Sequence, residues 1–205
     1  EMQGQLRLTG GRKLLSPRGS ETRPTTSRVR EAVMNILSPR LPGCRWLDLC
    51  SGSGVMGCEA LQRGAGMVLA VESNPKTARI CEQNLGLTQQ DCPGESSVKV
   101  VRSDVISWLS RGWTEPGFDL VYLDPPYMKE LYQPILDKLI SGKWLNLGSL
   151  VICEHSGNNQ PVPGDGWVLV DQRRYGTTGL LMISPREHCL PDGTDSRPRQ
   201  TDPSE

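Results

Sequence analysis

The chain has 205 residues, 36% hydrophobic and 22% charged, with 22 Gly and 16 Pro scattered among patterned segments. That length holds one α/β domain with a short appendage, and the composition excludes collagen, coiled coil and wholesale disorder. The formal net charge of zero conceals a division: Glu1 to Trp46 carries nine Lys and Arg against three acids, and the remainder fourteen against twenty. A basic arm on an acidic body fits either a polyanionic partner gripped at the N-terminal end or a merely solvated arm. Seven Cys, an odd number without CxxC spacing, and two His predict reduced thiols, a cytoplasmic setting and no metal. No apolar run reaches the roughly 20 residues of a membrane span, and the start does not resemble a signal peptide.

In chain order, Leu6-Arg7-Leu8, the Gly10-Gly11 turn and Arg12 to Leu15 predict a small basic hairpin. Arg18 to Thr26 reads as a linker. Hydroxyls at Thr25 to Ser27 offer an N-cap, and Val29, Ala32, Val33, Ile36 and Leu37 follow with helical spacing as far as Pro39. From Arg45 short apolar runs alternate with helical segments, the pattern of a mostly parallel sheet covered on both faces. Strands are predicted at Arg45 to Cys50, Met67 to Glu72, Val98 to Arg102, Phe118 to Leu123 and Ser149 to Glu154, with helices beginning near Gly54, Pro75, Asp104 and Tyr132. Trp167 to Asp171 and Thr178 to Ser184 form a closing antiparallel hairpin. The resulting division is a basic arm over 1–26, a catalytic domain over 27–184 and a polar, disordered tail over 185–205.

The first strand runs directly into Ser51-Gly52-Ser53-Gly54, and Gly57 completes a GxGxxG spacing with Glu72 twenty residues after Gly52. As written this satisfies a dinucleotide fingerprint. Asp48 argues against it, because a carboxylate at the mouth of the crevice repels a pyrophosphate and suits a cation. S-adenosylmethionine carries an ammonium and a sulfonium, while its ribose hydroxyls need an acid such as Glu72. Asp104, after the third strand, can reach the adenine amine. Taken singly, Asp104 reads equally as an N-cap and Glu72 as a solvated strand end.

Phe118 to Leu123 delivers Asp124-Pro125-Pro126-Tyr127 to the same sheet edge. The tetrapeptide can be an ordinary turn, since consecutive prolines forbid helix and remove two donors. It also fixes two acceptors, the Asp124 carboxylate and the Pro125 carbonyl, beside the aromatic face of Tyr127. An exocyclic NH₂ on a planar base needs that arrangement, and stacking adds about 1–3 kcal/mol per base. Holding both N–H groups favours a more tetrahedral nitrogen and aims its lone pair at a methyl sulfonium.

The order of Arg23-Pro24-Thr25 with its Arg-rich helix, LDLCSGSG at 47–54, VES at 71–73, DPPY at 124–127 and RRYG at 173–176 closely resembles the bacterial 16S rRNA guanine-N2 methyltransferases of the RsmD family. The resemblance covers about residues 3–184. It implies a Rossmann-like class I methyltransferase with a seven-stranded sheet and a short N-terminal hairpin, using S-adenosylmethionine to methylate a guanine of the assembled or nearly assembled small subunit. On that resemblance Asp124, Pro125 and Tyr127 take the base, and Asp48, Ser51, Gly52, Gly54, Glu72 and Asp104 surround the cofactor. Pro24 with Thr25 closes over it, and Arg7, Arg12, Lys13 and Arg18 contact rRNA. The chain departs from the family pattern at Cys50 and Ser51, where an aromatic residue and Ala are usual. A monomeric enzyme is expected. A DNA adenine-N6 methyltransferase using the same DPPY, a NAD-dependent oxidoreductase and a non-catalytic RNA-binding module are the competing readings. Glu154 and His155 end the fifth strand near the cleft, where they can steer RNA or only cap.

Overall fold

A computed structural model describes residues 5–18, 25–126 and 129–192. Seven strands, β1 (Arg45–Leu49), β2 (Met67–Glu72), β3 (Ser97–Arg102), β4 (Phe118–Leu123), β5 (Leu145–Ser156), β6 (Trp167–Tyr175) and β7 (Thr178–Pro185), form one sheet in the order β3-β2-β1-β4-β5-β7-β6. Neighbours pair in parallel from β3 to β5, and β7 lies antiparallel between β5 and β6. The strand order reverses at the β1/β4 junction, and the crevice beyond the carboxyl ends of those strands is where an open α/β sheet binds its ligand.

The central strands are predominantly apolar and buried without alternation because both faces are covered. One face packs Trp46, Val68, Ala70, Leu120, Tyr122 and Ile152 under α1 (Ser27–Leu37), α2 (Val55–Gln62) and α3 (Pro75–Asp91). The other packs Leu47, Leu49, Leu69, Val121, Leu123 and Val151 under α4 (Val105–Leu109) and α5 (Tyr132–Ser141). Trp108, Trp113, Trp144 and Phe118 form an aromatic cluster on this second face, with Trp108 and Trp144 rings 4.4 Å apart.

The basic hairpin is present, reduced to a single bridge between Arg7 and Lys13 around the Gly10-Gly11 turn. It is part of the domain core, since Leu6, Leu8 and Leu14 are buried with α1 and α2. Two polar clamps hold it. Arg30 of α1, 4% exposed, pairs with the buried Glu59 of α2 and donates to the Arg7 and Thr25 carbonyls, while Glu59 accepts from the Thr9 amide at 2.9 Å. Asn84 of α3 exchanges hydrogen bonds with Leu15 N–H and C=O and donates to the Ser53 carbonyl of the glycine turn. Glu59→Ala leaves the Arg30 guanidinium buried and uncompensated, so urea unfolding is expected to show a loss of about 3–5 kcal/mol; a loss below about 1 kcal/mol would contradict the clamp.

Several boundaries differ from the sequence expectation. β5 starts four residues early at Leu145 and β6 continues through Arg173-Arg174-Tyr175, because pairing with buried neighbours carries polar residues into the ladder. The first residues of the predicted 185–205 tail are placed against the domain. Pro185 closes β7, and Arg186 bonds back to the Gly166 and Asp165 carbonyls before a short 3-10 turn at Glu187–Cys189. Residues 193–205 lie outside the described residues. Among the described residues no helix is long and apolar enough to cross a membrane, and no cluster of three metal-ligating side chains occurs.

Candidate active site

β1 ends in a tight turn whose backbone only certain residues tolerate. Gly52 and Gly54 have φ of 55° and 79°, and Cys50 adopts φ 60°, a left-handed conformation that costs a side-chain-bearing residue energy. This strain sits at the sheet edge where the chain must turn from β1 into α2. A Cβ at Gly54 would meet Cys81 Sγ at 2.7 Å, and one at Gly57 would meet Val68 Cγ1 at 2.8 Å. Gly54 therefore lets the turn lie against α3, and Gly57 lets α2 lie close to β2. Ser51 is fixed by its amide on the Val71 carbonyl and by its hydroxyl against Cys81 Sγ.

Glu72, at the end of β2, accepts from Gly52 N–H at 2.9 Å and from Asn74 N–H at 3.0 Å, so it holds the turn as well as facing the crevice edge. Asp104 is the N-cap of α4, accepting from Ser107 N–H at 2.9 Å. The capping role that the sequence left open is thus real for Asp104, and its other oxygen is the one available to a ligand.

Asp48 is 2% exposed, and its Oδ2 has no hydrogen-bond partner among the described residues. Burial, with the charges of Glu72 and Glu154 adding to it, pushes this carboxyl up to about 8 against the opposing Gly57 amide. Asp124 follows β4, whose Leu123 is in register with Leu49 of β1 and with Cys153 of β5. The Asp124-Pro125-Pro126 turn and the glycine turn therefore leave the sheet side by side. Burial first, then Glu154 and Asp48, hold Asp124 well above the ordinary carboxylate range.

Glu154 of β5 completes the cluster. It is 8% exposed, and its Oε2 accepts from Thr25 Oγ1 at 2.8 Å and from the Tyr122 hydroxyl, while its backbone carbonyl accepts from the Tyr132 hydroxyl. Burial raises its carboxyl and the two hydroxyls oppose that rise. Local pattern could not single out Tyr122 or pair it with Glu154. The available signal was an acid closing the apolar run Leu150 to Cys153. His155 lies over Gly179, with Nδ1 against the Ser156 carbonyl, and packs rather than reaching the crevice.

Two buried carboxyls, Asp48 and Glu154, with the half-buried Asp124 beside them, disfavour any further negative charge at the rim, so the rim favours a cation. S-adenosylmethionine meets that requirement, and the orphaned Asp48 oxygen offers it an acceptor, whereas a dinucleotide pyrophosphate would add charge of the same sign. Thr25 stands at the rim through Glu154, in a cavity of about 390 Å³ shared with Arg28, Tyr175 and Thr178. Pro24 and Tyr127 lie outside the described residues.

On the arm, Arg7, Lys13 and Arg18 are exposed, while Arg12 is partly buried and paired with Asp91. Arg173 is similarly engaged by Asp171 at 3.0 Å.

The family model described as conserved hypothetical protein 95 matches residues 4–184. Ribosomal RNA small subunit methyltransferase D of Escherichia coli K12 is 32% identical over 178 residues, 84% of this chain and 86% of its own length. The Haemophilus influenzae protein of the same name is 30% identical over 174 residues, 85% of this chain and 87% of its own. The solved structure of yhhF from E. coli, which carries a methyltransferase designation, superposes with a TM-score of 0.74 at 28% identity, covering 89% of this chain and 98% of that one. The chain belongs to the RsmD family of S-adenosylmethionine-dependent methyltransferases.

Proposed function

We propose that the protein methylates the exocyclic N2 amine of one guanine in 16S rRNA, acting as a monomer in the cytoplasm on the assembled or nearly assembled small subunit. The observation that carries this reading is the side-by-side exit of the Asp124-Pro125 turn and the glycine turn from β4 and β1. The relatives' names supply the rRNA and the small subunit.

Bound S-adenosylmethionine supplies an electrophilic methyl group on a cationic sulfur. Asp48, Glu72 and Asp104 hold its polar parts, with Ser51, Gly52 and Gly54 giving the backbone close approach. The Asp124 carboxyl and the Pro125 carbonyl accept the two N2–H bonds of the guanine. That pairing draws nitrogen electron density out of the ring and aligns the lone pair for in-line transfer. The methylated nitrogen, acidic once its lone pair is bonded, then loses its proton to solvent at the open side of the Asp124 carboxyl. Tyr127 stacks on the base, and Pro24 with Thr25 closes the cleft. Nothing in this sequence of events calls on a metal or on a Cys nucleophile.

Arg7, Lys13 and Arg18 contact rRNA phosphates, and Arg12 contributes less because Asp91 offsets its charge. Lys13→Ala with Arg18→Ala should lower affinity for small subunits and reduce the slope of log affinity against log salt by about 1–2. Unchanged affinity and slope would leave the arm a solvated appendage.

The assay is incubation with methyl-labelled S-adenosylmethionine and, separately, small subunits, free 16S rRNA and duplex DNA, followed by nucleoside analysis. Label in N2-methylguanosine from small subunits is expected. Label in DNA N6-methyladenosine would favour the adenine enzyme instead.

A further inference from the structure

We infer that Glu154 sets the base specificity of the site, its free carboxylate oxygen accepting the N1–H of the target guanine while Asp124 and Pro125 hold the N2 amine. This rests on the guanine-N2 reading above and adds the residue that enforces it.

The carboxylate of Glu154 is held in one orientation. Oε2 takes two hydroxyls, from Thr25 and from Tyr122. The Tyr122 ring cannot swing aside, because it is buried and stacked on Trp46 with centroids 6.1 Å apart and planes at 15°. Oε1 makes no hydrogen bond among the described residues, and Glu154 lines the cavity bounded by Thr25, Arg28 and Tyr175. A carboxylate with one oxygen claimed by two donors and the other unpartnered among the described residues is a preorganised single acceptor.

Its place relative to Asp124 suits a purine edge. Leu123 and Cys153 are register partners on parallel strands, so Asp124 and Glu154 are the next residues on adjacent strands about 5 Å apart. Tyr122 and Ile152, two positions earlier on those strands, pack in the same core layer, which places Asp124 and Glu154 toward the same face. Guanine presents adjacent N1–H and N2–H donors on one edge. Adenine presents an N1 lone pair there, which a carboxylate repels. The two acidic acceptors therefore read two neighbouring donors, and only guanine among the four bases offers both beside an exocyclic amine at C2.

The test uses small subunits reconstituted with 16S rRNA carrying either guanine or 2,6-diaminopurine at the nucleotide that the wild-type enzyme modifies. Diaminopurine keeps the C2 amine and replaces the N1–H donor with an acceptor. A site built on an N1–H hydrogen bond should prefer guanine in kcat/KM by at least about 100-fold. In Glu154→Gln the amide oxygen keeps the Thr25 and Tyr122 hydroxyls, which turns the NH₂ toward N1. The guanine preference should then collapse at least about tenfold or invert. Loss of activity on both substrates by one common factor would overturn the proposal and leave Glu154 a structural group. Should the variant fail to fold, wild-type enzyme decides alone, since a preference below about threefold overturns the assignment. Wild-type enzyme that places no methyl on guanine N2 in natural subunits would instead overturn the underlying reading and this inference with it.

Discussion

Asp124→Ala is expected to lower methyl transfer to small subunits by about 10³-fold while the Kd for S-adenosylmethionine moves less than about threefold. The carboxyl supplies one of the two acceptors that rehybridise a delocalised amine, and removing one preorganised hydrogen-bonding group at a reacting centre typically costs about 10²–10³ in kcat. The remaining acceptor, the Pro125 carbonyl, cannot orient the nitrogen alone. On the proposed reading cofactor binding is set mainly at β1 and β2, by Asp48, Glu72 and the glycine turn, so isothermal titration should report near-normal affinity. Asp124→Asn separates two roles for the same oxygen. It retains an acceptor, and activity within about tenfold of wild type is expected. Equal collapse of both variants would show that Asp124 must take the proton before transfer and would contradict the acceptor role. A fully active alanine variant would remove Asp124 from the chemistry altogether.

Asp48→Asn should move stability and cofactor affinity in opposite directions. The Asp48 carboxyl ionises near 4 in an unfolded chain and at about 8 in the fold, where burial and the nearby Glu72 and Glu154 charges oppose ionisation. Between those values the folded chain binds more protons than the unfolded one, so the free protein loses stability as pH rises from about 4 to about 8. The asparagine variant lacks that loss. Its advantage in Tm should grow from pH 5 to pH 8, by about 2–4 °C for each kcal/mol gained. A cationic ligand reverses the balance, because it favours the ionised carboxylate. Wild-type affinity should therefore rise with pH up to about 8, with a proton released on binding that calorimetry in buffers of different ionisation enthalpy can count. Losing a charge-assisted hydrogen bond of about 1.5–3 kcal/mol should weaken cofactor binding in the variant about ten- to a hundredfold and flatten its pH dependence. Tighter binding by the variant would show that the buried acid does not face the cation.

The sheet was legible because strands buried on both faces are predominantly apolar runs without alternation, and β1, β2 and β4 are such runs, broken only by Arg45, Asp48, Asp119 and the closing Glu72. Their ends were legible for the same reason, since Asp48, Glu72 and Asp124 interrupt or close those runs at one edge. β6 was less so, because its polar stretch Gln172 to Arg174 joins the ladder only through β7. The sequence left Asp104 open between two roles, of which the structure shows the capping one. What could not be read was the hydrogen-bonding behind the rim. Thr25 and Glu154 are 129 residues apart, and Tyr122 reaches Glu154 across 32. Arg30 sits within the Arg-rich helix in sequence yet turns inward to Glu59, a pairing that exists only once α1 packs against α2. Contacts of this range depend on the tertiary arrangement, to which periodicity and spacing are blind.

The central claim is that cofactor and base meet where β1 and β4 leave the sheet. A crystal structure with S-adenosylhomocysteine bound tests it most directly. The expected density places the ribose by Glu72, the amino group by Asp48 and the sulfur facing the Asp124-Pro125 turn. Ligand density elsewhere on the molecule, or a sulfur directed away from that turn, would contradict the account.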